Sequence, residues 1–437
     1  MDRRPNRSIR RQGPRQAARR KGVQRGSGRA AAVTDATRQT LLGSLPTSFD
    51  TGPEWLRALR GRAAEALREQ GLPTKRTEAW RFTPVRSVVS AEFSRDDRGV
   101  PSLASSLPEG VTARSLRQVL QAEPELLEGR LDLGGAPTHF AALNTALFSD
   151  GLWIDVPAGT IVERPIELTH AIPTSSDSSV VYPRVLITLG DNAELTLIET
   201  YAGTEVGPLT NSVVEVDLSC NARMSHARIH ENAGLQVGRV DVRQDTDSTY
   251  RSTVVTLGGA LLRFDVRCML QGKGAECQLD GAYLVEGDDH VDHHTTVEHQ
   301  ASHCRSAQTY RGIVSGKGTA VFDGLVVVHR DAQKTEAHQE NRNLLLSETA
   351  TVHTKPHLEI DADDVICSHG VTVGALDEDQ LFYLRARGIP EDLAHSMLTY
   401  AFLESIVDRV SHEPTRARMR EALLARMPHR EEIRGVT

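Results

Sequence analysis

The spacing of apolar residues changes twice along the chain. In TGPEWLRALRGRAAEALREQG, residues 51–71, Trp55, Leu56, Leu59, Ala63 and Leu67 recur at helical spacing. Thr51 and Glu54 form a candidate capping pair, and Gly71 followed by Pro73 is a stop signal, so the stretch predicts an amphipathic helix. Residues 72 to about 150 mix short helical and loop signals. From about 151 to 375 the pattern becomes short β-rich runs, among them AELTLIET, NSVVEVDL, STVVTL, GLVVV and ATVHT, separated by Gly, Asn and Asp turns. GKGAECQLDG at 272–281 is echoed by GKGTAVFDG at 316–324. Repeated strand and turn units without a locked period predict a β-solenoid whose coils bury their inward side chains against one another, with a β-sandwich as the alternative.

After residue 375 helical signals return. Asp377 and Gln380 form a second capping pair, LFYLRARG ends on Gly388, and Pro390 opens a further helix. That helix carries Leu393, Met397, Tyr400, Ala401 and Leu403 on more than one side. It either packs inside a helical tail or meets a partner. The expected division is a basic, disordered arm at 1–45, a helical N-terminal domain at 46–150, an all-β core at 151–375 and a helical C-terminal domain at 376–437.

Charge separates the arm from the body. Residues 1–30 contain ten Arg, one Lys and one Asp, whereas the whole chain has a net charge of −7. The arm lacks an apolar stripe and reads as disordered, either a dispensable extension or a nucleic-acid or targeting tail without the apolar region of a secretory signal. The acidic body gives no reason to expect nucleic-acid binding. No run of 18 apolar residues suggests a membrane span. The cysteines at 220, 268, 277, 304 and 367 are odd in number and lack C-x-x-C spacing, as expected of reduced thiols in a cytoplasmic protein.

Several chemistries fail on motif. Both Gly-Lys pairs are followed by Gly, so there is no P-loop, and neither G-x-S-x-G nor H-E-x-x-H occurs. The histidine-rich segment GDDHVDHHTTVEHQASHC holds His290, His293, His294, His299 and His303. On a strand His293 and His299 share a face but stand roughly 20 Å apart at ~3.3 Å per residue, too far for one ion. Interior or interface positions suit them better. Cys367 and His369, two residues apart, share a face with Cα atoms only ~6.6 Å apart. A metal or cluster site needs more ligands than the local sequence supplies. The pair is either an inert Cys beside a hydrogen-bonded His or half a site completed by a second protein.

DHHTTVEH and the long segment AQKTEAHQENRNLLLSETATVHTKPHLEIDADDVICSHGVTVGALDEDQLFYLRARGI resemble the SufB/SufD family of iron-sulfur cluster assembly proteins, as does TEAWRFTPV at 77–85. The resemblance spans roughly 50–425, and the CSHG form at 367–370 is similar to the SufD branch. It implies a right-handed parallel β-helix core between helical ends, and a noncatalytic scaffold that binds no nucleotide itself. The implied partners are SufB, met through the β-helices, and the ATPase SufC, docked by the C-terminal helices; a homodimer is expected when SufB is absent. It also implies a transient Fe-S cluster shared with SufB, with His369 as a metal ligand and Cys367 a further candidate. A SufB-like scaffold that accepts sulfur itself is the alternative.

Overall fold

The computed structural model describes residues 39–435, apart from 105, 136–137, 172–177, 204–207 and 232–233. Runs rich in Val, Ile, Leu and Thr become strands that alternate between two parallel sheets. Leu209–Leu218 lies in one sheet, Arg223–His230 in the other, and Leu235–Gln244 returns to the first. Leu209 pairs with Leu235 and Leu235 with Leu261, an advance of 26 residues per coil. Such stacking of about seven turns is a β-solenoid. The sandwich alternative would need antiparallel strands and does not fit.

Inward side chains of the two sheets fill the space between them. Val214, Val216, Val240 and Val242 from one sheet meet Leu195, Leu197 and Leu279 from the other in a single apolar cluster. Corner turns stack as regularly as the strands. Asn192, Asn221, Asp247 and Gly274 all have positive φ at successive equivalents of one corner. Each donates its N–H to a carbonyl of the next coil: Asn192 to Cys220, Asn221 to Thr246, Asp247 to Lys273 and Gly274 to Ser302. Asn, Asp and Gly tolerate this conformation best, which explains the turn residues seen in the sequence. The two Gly-Lys-Gly turns fall at opposite corners, one leading into Glu276–Val285 and the other into Thr319–Val328 of the other sheet. Their echo is a half-coil unit.

Helices cover the outer faces. Glu54–Gln70 and His139–Leu147 bury Leu56, Leu59, Phe140 and Leu143 in a cluster with the outward-facing Leu186, Val237 and Leu261 of the larger sheet. Pro53 is the N-cap of the first helix, with no side-chain cap, so the expected Thr51–Glu54 pair does not form there. Asp377 does cap its helix, accepting from the Asp379 and Gln380 N–H groups. On the other sheet, Tyr400, Leu403, Ile406 and Val407 of helix Glu391–Val407 pack on Ile229, Val255, Leu284 and Ile313. The two apolar sides of that helix are thus largely occupied within the chain.

Two boundaries differ from expectation. Strand Gln39–Thr40 pairs with Glu92–Phe93, and Leu41 is completely buried, so the packed chain begins before residue 45. Leu41 and Leu45 supply the apolar contacts that the basic arm lacks; the arm at 1–38 lies outside the described residues. The N-terminal region is also not purely helical. Strands Ser102–Leu103 and Thr112–Ser115 pair antiparallel with Ile166–Ala171 and Leu152–Val156, covering edges of the first coils. Covered edges resist pairing with other chains.

Candidate functional site at the open end of the solenoid

The last coil consists of strands Thr351–Ile360 and Val365–Gly374, each ten residues long. They end the two sheets, and among the described residues no further strand pairs with either. Alternation fixes which side chains point inward. Ala337, Gln339, Asn341 and Asn343 are buried, and their register partners are Cys367, His369, Val371 and Val373. Cys367 and His369 therefore share the inward side, as the two-residue spacing predicts. With no next coil above it, His369 is exposed. Val373 and Ile360 are exposed as well, at 46% and 39%, giving the rim an apolar character.

The two site residues differ in setting. Cys367 is half-buried against a cluster of Val326, Val328, Ala332, Ala337 and Ala362. Burial pushes its thiol up, opposed by a hydrogen bond from the Ala337 backbone, so little thiolate is available near neutral pH. Ser368, between them, faces outward and lies 2.8 Å from His338 Nδ1. Asp364 forms an exposed ion pair with Lys334. Among the described residues, no three His, Cys, Asp or Glu side chains converge to hold a metal ion. The last coil brings together one imidazole and one thiol.

The histidine-rich segment has a different role. His293 and His299 point into the solenoid, where His293 Nε2 lies 3.1 Å from Thr256 Oγ1 and His299 Nε2 lies 2.8 Å from Ser306 Oγ. Burial lowers their pKa values to about 3 and about 4, with Arg228 adding to the effect at His293. They are neutral interior groups. Asp292, on the outward side, pairs with Arg263 at 3.0 Å and His294 at 2.9 Å. Burial opposes its ionisation, but these two neighbours hold its carboxyl well below the usual carboxylate range. Asp292 also accepts a hydrogen bond from Thr83, while Arg263 stacks over Trp80 at 4.0 Å. The segment thereby fastens TEAWRFTPV to the solenoid. Nothing in the histidine spacing alone identifies Arg263 as the partner, because it comes from the preceding coil.

The sequence reading also missed an exposed aromatic pair. Helix Glu378–Ala386 has no buried residue and presents Phe382 and Tyr383 at 72% and 56% exposure. Beneath it, a cleft of about 450 Å³ is lined by Leu345, Leu346, Leu376, Leu381 and Met427. Glu286, Glu378, His395 and Arg426 also line the cleft, so its wall mixes apolar and charged side chains.

The chain is thus a parallel β-solenoid with helices on both outer faces, and its uncovered last coil carries a thiol and an imidazole. Comparison with known families makes this specific. The model for the SUF system FeS cluster assembly SufBD core domain matches residues 171–402, and that for the SufBD N-terminal region matches 100–168. The chain belongs to the SufBD family of iron-sulfur cluster assembly proteins. It is 30% identical over 411 residues to a SufBD family protein of Synechocystis, covering 84% of this chain and 90% of that one. It is 29% identical over 396 residues to the SufD protein of Escherichia coli, covering 84% and 91%, and 25% identical over 403 residues to SufD of Bacillus subtilis, covering 83% and 91%. Its function is that of a SufD-like subunit in iron-sulfur cluster assembly. Among the described residues, no helix is long and apolar enough to cross a membrane.

Proposed function

We propose that the chain is a noncatalytic cytoplasmic scaffold whose open last coil joins the corresponding coil of SufB, so that a nascent Fe-S cluster forms between them. The uncovered pair of ten-residue edge strands carries this reading. The first coils are covered by antiparallel strands, whereas the last coil leaves backbone donors and acceptors in place for a partner strand. An imidazole on its inward side would then contribute one ligand to the incoming cluster, with thiolates from SufB supplying others. His369 is that ligand in this reading. The raised Cys367 thiol makes it the weaker candidate and disfavours the alternative in which this chain itself accepts sulfur.

SufC is proposed to dock on the C-terminal helical domain, 376–437, and to supply the ATP-driven movement that opens the joint. No nucleotide binds this chain. When SufB is absent, the same edges would pair with a second copy, giving a homodimer. The division into arm, N-terminal domain at 46–150, core at 151–375 and C-terminal domain remains part of the proposal as a division of roles. Coexpression with SufB and SufC tests the joint. Val373→Lys places a charge on the rim and should reduce recovery of the SufB complex at least several-fold, measured as complex mass, while the isolated chain keeps its circular dichroism spectrum. Undiminished complex would place the joint elsewhere.

A further inference from the structure

We propose that Gln339 is a positioning residue for His369: its carboxamide oxygen accepts a hydrogen bond from one ring N–H and leaves the other ring nitrogen free to face the cluster. This inference rests on the reading of His369 as a ligand. Gln339 is the strand partner of His369 one coil earlier and lies on the same inward side. Adjacent strands are about 4.8 Å apart, so the two side chains are in-register neighbours; the Gln339 oxygen has no partner in the structure, and turning the His369 ring towards it would make the bond.

The amide is held in place by burial and by the neighbouring Gln308. Gln339 is only 3% exposed, and its Nε2 donates to Gln308 Oε1 at 3.2 Å. The same Gln308 oxygen accepts from Thr295 Oγ1 at 2.5 Å, across the interior. Gly324 on the facing sheet leaves the space, since a side chain there would collide with the Gln339 carboxamide. With its Nε2 on Gln308, Gln339 leaves its Oε1 a buried acceptor without a partner, just as Gln308 Nε2 is a buried donor without one. A buried unpaired acceptor is costly, and the next polar side chain along the ladder is His369. Metal-bound histidines nearly always donate their second ring N–H to such an oxygen, which fixes the tautomer and the ring plane. Thr295, Gln308 and Gln339 therefore form a chain of hydrogen-bonded polar side chains that leads from the solenoid interior towards His369.

The test uses the full chain labelled with ¹⁵N-histidine, in which the His369 resonances are identified by their loss in His369→Ala. In the wild type His369 should show one dominant neutral tautomer. Gln339→Leu should convert it to the mixture of an unconstrained imidazole, and should lower iron and sulfide in the coexpressed SufB and SufC complex about tenfold without changing the complex mass. Gln339→Glu, which keeps an acceptor oxygen, should retain the tautomer and most of the cluster. An unchanged His369 tautomer in Gln339→Leu overturns the proposal; if that variant does not fold, loss of the tautomer in Gln339→Glu does so. The two readings fail separately. Wild-type cluster in His369→Ala removes the ligand role whatever the tautomer does, whereas cluster loss in His369→Ala with no tautomer change in Gln339→Leu removes only the positioning role.

Discussion

His293 and His299 show how a residue type suggestive of metal chemistry becomes a stability element. Both are buried and neutral in the folded chain, with pKa values lowered to about 3 and about 4. In the unfolded chain each takes a proton near pH 6.5. Their folded values are depressed, so the stability they contribute is complete above about pH 6.5 and falls as pH drops towards about 4, at up to about 1.4 kcal/mol per pH unit for each proton. Urea unfolding at pH 7.5, 6.0 and 5.0 should show this loss, and His293→Gln should flatten it by close to one proton. Parallel pH profiles for the two proteins would contradict the assignment. At this scale the sequence was informative wherever alternation decides direction: His293 and His299 share one face by spacing, and both are buried. The pairing of Asp292 with Arg263 was not legible, because its partners lie 29 and 209 residues away.

The C-terminal helices show what element patterns leave undecided. An apolar residue on a helix is the same whether it meets its own sheet or another protein. Tyr400, Leu403, Ile406 and Val407 meet their own sheet, and Arg409 adds an ion pair to the buried Asp280 at 3.0 Å. Removing everything after Gly388 would uncover Ile229, Val255 and Leu284, at about 1.5–3 kcal/mol for each large side chain exposed, so that truncation cannot isolate docking from folding. The helix that remains available is Glu378–Ala386. Replacing Phe382 and Tyr383 together with Ala should weaken SufC binding about tenfold or more, read by titration calorimetry, with little change in melting temperature because neither side chain is buried. Unchanged SufC affinity would move the docking surface to another part of the C-terminal region. The helices at 54–70 and 378–386 were visible from spacing and stop signals. Strands Ser102–Leu103 and Thr112–Ser115 were not, since only a few residues long they carry no periodicity and exist because a coil edge needs covering.

For the whole molecule, the decisive feature is an asymmetry between its ends. Antiparallel strands cover edges of the first coils, while Thr351–Ile360 and Val365–Gly374 end their sheets uncovered. Turn-separated β runs made the solenoid legible, but the register of coils 26 residues and more apart was not, because each pairing depends on residues distant in sequence. The spacing of Cys367 and His369 revealed a shared face; only the stacking reveals that this face has no coil above it. In the proposed reading, a thiol and an imidazole on an unpaired end supply one half of a site shared between two chains. The most direct measurement is iron and acid-labile sulfide per complex after coexpression with SufB and SufC, comparing wild type, His369→Ala and Cys367→Ser. The account predicts intact complexes of unchanged mass in all three, cluster content reduced about tenfold or more in His369→Ala and much less in Cys367→Ser. Wild-type iron and sulfide in an intact His369→Ala complex would contradict it.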